Sequence, residues 1–162
     1  MLKHLTTQRA SLLVALAAIA ALASAWGFQL AGYAPCPLCL YQRWAYYAGI
    51  PVTLLAFYLT LKKSPAARPL LLLAGLMFLG NAIFAAWHAG IEWKFWPGPS
   101  TCTGGQLTGG LPDLSKPIVM CDVPAIRILG ISLAGWNALV CLGLAMTAFF
   151  GSRPYGSSSV SQ

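Results

Sequence analysis

In this chain of 162 residues, 58% are hydrophobic and only 8% are charged, whereas a soluble domain carries charge on roughly a quarter of its residues. That excludes an ordinary water-soluble globule and leaves room for one domain with a handful of membrane spans. The formal charge of +7 does not point to nucleic acid, because the basic residues are scattered in short loops with no stripe or aromatic interleaving.

A membrane-crossing helix needs about 20 apolar residues. The first candidate runs from about Ala10 to Leu30. Within it, "ASA" at 23–25 mimics a signal-peptide cleavage site, but the apolar run continues through Trp26, Phe28 and Leu30, which favours a span. A Gly/Pro link at 31–39 leads to the second candidate, from about Leu40 to Leu61. The basic loop "KKSPAAR" at 62–68 precedes a third, from about Pro69 to Ala89. A long loop at 90–123 then reaches a fourth, from about Pro124 to Phe150. Residues 1–150 read as a single membrane domain, and the polar tail at 151–162 is expected to be disordered, having little apolar area to bury.

The expected fold is an all-α four-helix transmembrane bundle whose long loop carries a short interfacial helix. Ala17, Ala18, Ala21, Gly75, Gly80, Gly130, Ala134 and Gly135 are small residues of the kind that let helices approach in lipid. Asn81 and Asn137 should face the interior and pair across helices. In the long loop, Trp93, Phe95 and Trp96 surround Lys94, a pattern typical of a membrane interface.

Orientation follows from the lysine and arginine bias. Lys3, Arg9, Lys62, Lys63, Arg68 and Arg153 share one side if the spans alternate, and all three acids, Glu92, Asp113 and Asp122, lie on the other. The first side is expected to be cytoplasmic, with both termini inside. Cys36, Cys39, Cys102 and Cys121 then fall on the outer side, which in a bacterial inner membrane is the oxidising periplasm. Cys141 sits alone inside the fourth span and reads as a small buried hydrophobe.

The chemistry gathers at "PCPLCLYQR", residues 35–43. Pro37 suits a first helical position, which puts Cys36 near the N-cap and Cys39 in the first turn. Free N–H groups and the helix dipole favour a thiolate there. Arg43, four residues after Cys39, falls on the same helix face. A zinc site would need further ligands from Cys102, Cys121 or His88, and the wide Gly-rich separation of the second pair argues against it. A structural staple is also a poor reading, since a Cys-x-x-Cys bridge closes a tiny loop. A relay of two exchangeable disulfides fits best.

"PCPLCLYQR", "AAWHAGIEW", two loop cysteines ending in "CDVP", and "LGISLAGWN" occur in that order. Together they resemble the DsbB family of bacterial disulfide-bond formation proteins, from about residue 9 to 150. The resemblance implies a quinone-dependent protein dithiol oxidase. A DsbA-like periplasmic thioredoxin-fold protein would attack a Cys102–Cys121 disulfide at Cys102, and Cys121 would then attack Cys36 of a Cys36–Cys39 disulfide. Cys39 would leave as a thiolate facing a membrane quinone, ubiquinone or menaquinone, held with the help of Arg43 and His88. Glu92, four residues beyond His88, could hold its ring by a hydrogen bond. One departure stands out: Gln42 is neutral where some family members have an acid. Two rivals remain, a vitamin K epoxide reductase-like enzyme and a non-catalytic membrane subunit with structural disulfides. In the former family the Cys-x-x-Cys pair follows the loop cysteines, whereas here it precedes them.

Overall fold

The computed structural model describes residues 6–99, 102 and 119–153. Four long helices carry the fold: α1 (Thr7–Leu30), α2 (Pro37–Leu61), α3 (Ala67–Glu92) and α4 (Leu133–Ser152). All four are long and apolar enough to cross a membrane. Each packs on its neighbours in sequence and α4 closes the ring against α1, while α1 and α3 barely touch. The short links after α1 and α2 make those helices antiparallel neighbours in an up-and-down bundle.

The bundle is packed with small side chains inside and large ones outside. Ala10, Ala15 and Ala18 of α1, Ala74 and Ala85 of α3, and Ala145 and Ala148 of α4 are fully or almost fully buried. Leu13, Leu16, Trp44, Leu76 and Ile83 are more than half exposed. In water that arrangement would waste most of the available apolar burial. In lipid it is favourable, because tails solvate the leucines while small residues allow dispersion contacts between backbones. Gly75 shows the tolerance: a Cβ there would lie 2.9 Å from the Phe149 ring. Gly80, by contrast, faces open space, so it is not a contact point.

Local chemistry sets the helix ends. The Thr6 hydroxyl accepts the Arg9 N–H at 3.3 Å to open α1. Cys36 opens α2, with its sulfur accepting the Cys39 N–H at 3.2 Å and Pro37 following it. The Ser132 hydroxyl accepts the Gly135 N–H at 3.2 Å to open α4. These contacts satisfy amides that have no intrahelical partner.

Two expectations are corrected. The fourth helix starts at Leu133 rather than near Pro124. The apolar stretch before it instead forms a two-stranded antiparallel hairpin, β1 (Arg127–Ile128) with β2 (Ile131–Ser132). Leu129 and Gly130 take φ of 54° and 82°, the left-handed pair that a tight hairpin turn requires and that a helix cannot contain. The Trp136 indole N–H donates to the Ile128 carbonyl at 3.0 Å and fastens the hairpin to α4. The second correction concerns the short interfacial helix, which is absent among the described residues of the long loop. Helix α3 instead runs on to Glu92, and residues 93–96 turn back so that the Trp96 indole N–H donates to the Trp87 carbonyl at 3.0 Å. Gly90 gives the Trp96 ring its place, since any Cβ there would collide with it. Residues 103–118 and 154–162 lie outside the described residues, and with them most of the segment between the loop cysteines and of the polar tail.

Candidate functional site

Four of the five cysteines meet at one end of the bundle. Cys102 and Cys121 are disulfide-bonded, with Cα atoms 5.4 Å apart. Cys36, Cys102 and Cys121 form one buried cluster with Leu38 and Ile91, and Cys39 packs against it. The loop disulfide thus lies on the N-terminus of α2. Cys36 and Cys39 are unbonded, their sulfurs 2.8 Å apart. The Cys36 sulfur already receives the Cys39 N–H, so we assign the proton shared between the two sulfurs to Cys39. That S–H bond chiefly holds the Cys36 thiol down at about 5, against an ordinary value of 9.0, with burial opposing it and His88 assisting. Of the two free thiols, Cys36 is therefore the anion at neutral pH.

His88 is completely buried. Its Nε2 lies 3.6 Å from the Cys36 sulfur and 3.2 Å from the Cys121 carbonyl oxygen. Its Nδ1 is 2.8 Å from Gln42 Nε2. Gln42 therefore holds the ring, the part the sequence suggested for Glu92. The Glu92 carboxylate is instead approached by Ser132 at the start of α4. It is buried, and its Oε2 has no hydrogen-bond partner among the described residues.

Arg43 and Cys39 both line a cavity of about 380 Å³ between α1, α2, α4 and the 119–125 segment. The Arg43 hydrogen bonds go to α1: Nη1 donates to Gln29 Oε1 at 2.7 Å and Nη2 to the Ala25 carbonyl at 3.2 Å. The Trp26 ring lies under the guanidinium, 5.1 Å from its centre. This grip fixes a permanent cation on the cavity wall. Apolar groups such as Phe28, Val123, Ala134 and Val140 make up most of the rest of the wall, joined by Glu92 and Asn137. The volume and lining suit a small, largely apolar ligand with a polar group near Arg43. His88 is not part of the cavity lining; its Nε2 faces the Cys36 sulfur.

Three groups escaped the sequence reading. Gln42 was singled out only for its lost charge, Asn137 only as packing glue, and Tyr46 not at all. The Asn137 amide donates to Gln42 Oε1 at 2.7 Å, and the Tyr46 hydroxyl donates to Asn137 Oδ1 at 2.5 Å. The i, i+4 spacing of Gln42 and Tyr46 places them on one face of α2, a signal the sequence does contain. Cys141 is buried as expected, but it is also hydrogen-bonded, receiving the Asn81 amide at 3.2 Å. Beyond the bundle, Lys94 reaches Asp122 at 2.5 Å, and that bond keeps the Asp122 carboxyl below its ordinary value.

Comparison with known proteins agrees with this geometry. The family model described as disulfide bond formation protein DsbB matches residues 7–151. An uncharacterised protein, RP370, of Rickettsia prowazekii (strain Madrid E) is 30% identical over 127 residues, covering 74% of this chain and 70% of that protein. No solved structure gives a significant match. With four spanning helices and a cysteine-built site at one end, the chain belongs to the DsbB family, the disulfide-forming oxidoreductases of the bacterial inner membrane.

Proposed function

We propose that this protein reoxidises a DsbA-like periplasmic thioredoxin-fold partner, passing electrons through two disulfides to a membrane quinone, ubiquinone or menaquinone. The observation that carries the reading is the packing of the Cys102–Cys121 disulfide against Cys36 in one buried cluster, beside a cavity that Cys39 and Arg43 share. On this reading the cluster faces the periplasm and both termini face the cytoplasm.

The working cycle starts with both cysteine pairs as disulfides. A partner thiolate attacks the Cys102 sulfur, breaking the bond to Cys121 and leaving a Cys121 thiolate. That thiolate attacks Cys36, and the Cys36–Cys39 bond breaks with Cys39 leaving as the anion. The partner's second thiolate then attacks its own sulfur in the mixed disulfide and departs oxidised, freeing Cys102. Cys102 displaces Cys36 from Cys121 and restores the loop disulfide. The net result is one partner disulfide gained and one Cys36–Cys39 dithiol formed. A quinone held in the cavity would take up the two electrons and two protons released as the Cys36–Cys39 disulfide re-forms. Arg43, gripped by Gln29 and Trp26, is placed to hold a quinone oxygen and to favour negative charge on Cys39 within the cavity. His88 offers an N–H to Cys36 and so favours its thiolate.

The deciding experiment mixes the purified protein with a reduced DsbA-type dithiol and a soluble quinone, following thiol loss and quinol absorbance together. Stoichiometric, quinone-dependent oxidation is expected. No oxidation, with all four of these cysteines inert to exchange, would instead identify a non-catalytic subunit.

A further inference from the structure

A line of buried polar side chains descends from His88 into the bundle, through Gln42, Asn137, Tyr46 and Cys141 to Asn81. Its hydrogen bonds run in one direction. The Asn81 amide donates to the Cys141 sulfur at 3.2 Å, and the Cys141 sulfur lies 3.1 Å from the Tyr46 hydroxyl. The Tyr46 O–H donates to Asn137 Oδ1, the Asn137 amide to Gln42 Oε1, and the Gln42 amide to His88 Nδ1. In a neutral imidazole one nitrogen accepts and the other donates. A His88 whose Nδ1 accepts must therefore carry its proton on Nε2, the nitrogen that faces Cys36 and the Cys121 carbonyl.

We propose that Gln42, Asn137 and Tyr46 are positioning residues that fix His88 as its Nε2–H tautomer, making it a donor to the Cys36 sulfur and withholding its lone pair from metal ions. The second half of the proposal answers a chemical hazard. The ligand atoms of Cys36, Cys39 and His88 all lie within 4.8 Å of one another. A thiolate, a thiol and an imidazole so placed would capture zinc or cadmium whenever the pair is reduced, if Nε2 were unprotonated. Network polarity of this kind sets which nitrogen is free. Asn137 Oδ1 has two donors, the Tyr46 O–H at 2.5 Å and the Cys141 thiol at 3.6 Å, and the shorter bond is the stronger anchor. Without the Tyr46 O–H, Asn137 can turn its amide over, Gln42 follows, and His88 then donates from Nδ1.

The proposal rests on Cys36 being the working sulfur, but its test uses reduced, quinone-free protein, so it can fail while quinone reduction stands. The chain holds two histidines, so 15N-histidine labelling with a His4→Ala control isolates His88. The wild type should show an unprotonated Nδ1 and a protonated Nε2. The reverse assignment would overturn the proposal. Tyr46→Phe keeps the ring and the packing and should give a mixture of tautomers. A Tyr46→Phe spectrum identical to the wild type would also overturn it.

Gln42→Glu supplies the opposite polarity, because a carboxylate can only accept from Nδ1. Reduced Gln42→Glu should bind cadmium about tenfold or more tightly than the reduced wild type, on the scale of outer-sphere effects on metal affinity, read by thiolate-to-metal absorbance. Equal cadmium affinity in the two proteins would refute the withheld lone pair. If Gln42→Glu fails to fold, Asn137→Asp, which replaces the amide donor with an acceptor facing Gln42, makes the same measurement with the same two outcomes.

Discussion

His88 Nε2 stands 3.6 Å from the sulfur of Cys36, although the two residues lie 52 positions apart in sequence. This contact joins the middle of the chain to the start of α2 and puts a ring N–H against the one sulfur that also caps a helix. It adds to the Cys39 hydrogen bond, the larger influence, in favouring the thiolate at Cys36.

The first prediction concerns pH. The Cys36 thiol is held at about 5, so its anion persists down to that pH, whereas an ordinary thiol is almost entirely protonated below about 7. Alkylation of the reduced protein at Cys36, mapped by mass spectrometry, should therefore rise with a midpoint near pH 5 and stay high above it. Because folding lowers this value, the thiolate stabilises the reduced fold increasingly as pH rises from about 5 toward 9 and loses that contribution as pH falls back through 5.

Removing the ring should move that midpoint upward. His88→Ala takes away one charge-directed hydrogen bond, worth about 1.5–3 kcal/mol, or roughly one to two pH units. An unmoved alkylation profile would show that the Cys39 hydrogen bond alone holds the anion.

Cys39→Ser tests the order of the relay. Quinol formation should vanish altogether, while a Cys102-linked species with the partner still accumulates on a non-reducing gel. Normal turnover in that variant would exclude Cys39 from the cavity chemistry.

Arg43 is expected to act on quinone and not on the partner. Arg43→Ala should raise the KM for quinone by about tenfold or more, as loss of a charged donor in a dry site does, with KM for the partner unchanged. Arg43→Lys should recover only part of the loss. A single ammonium cannot hold Gln29 Oε1 and the Ala25 carbonyl in the same forked way.

Packing supplies the last test. At Gly75 even a methyl carbon would sit 2.9 Å from Phe149. Gly75→Val should destabilise the bundle by about 1–3 kcal/mol, lowering its Tm in detergent. Gly80→Ala faces open space and should leave Tm unchanged or slightly higher.

What the sequence disclosed and what it hid have separate physical causes. Span number and the clustering of small residues depend on composition, which a linear reading captures. Cys36 at a helix cap was legible because Pro37 marks the first turn. The start of α4 was not, because Ile126, Ile128 and Ile131 are as apolar as a span. Only the paired positive φ angles at Leu129 and Gly130 reveal a hairpin there. Arg43 sat on the anticipated face, yet its grip on Gln29 depends on how α1 and α2 cross. The ring support of His88 was assigned to Glu92 by sequence proximity, whereas Gln42 reaches it across the bundle.

The loop disulfide has unequal ends. The Cys121 backbone accepts from His88 and donates to the Cys102 carbonyl at 2.9 Å, and its chain continues into the hairpin clamped on α4. Among the described residues, the backbone hydrogen bonds of Cys102 are a turn to the Pro99 carbonyl and the link to Cys121. On the proposed cycle, opening the bond leaves one thiol berthed beside Cys36 and the other joined to the partner protein. The bridge behaves like a drawbridge hinged on the bank where the next reaction takes place.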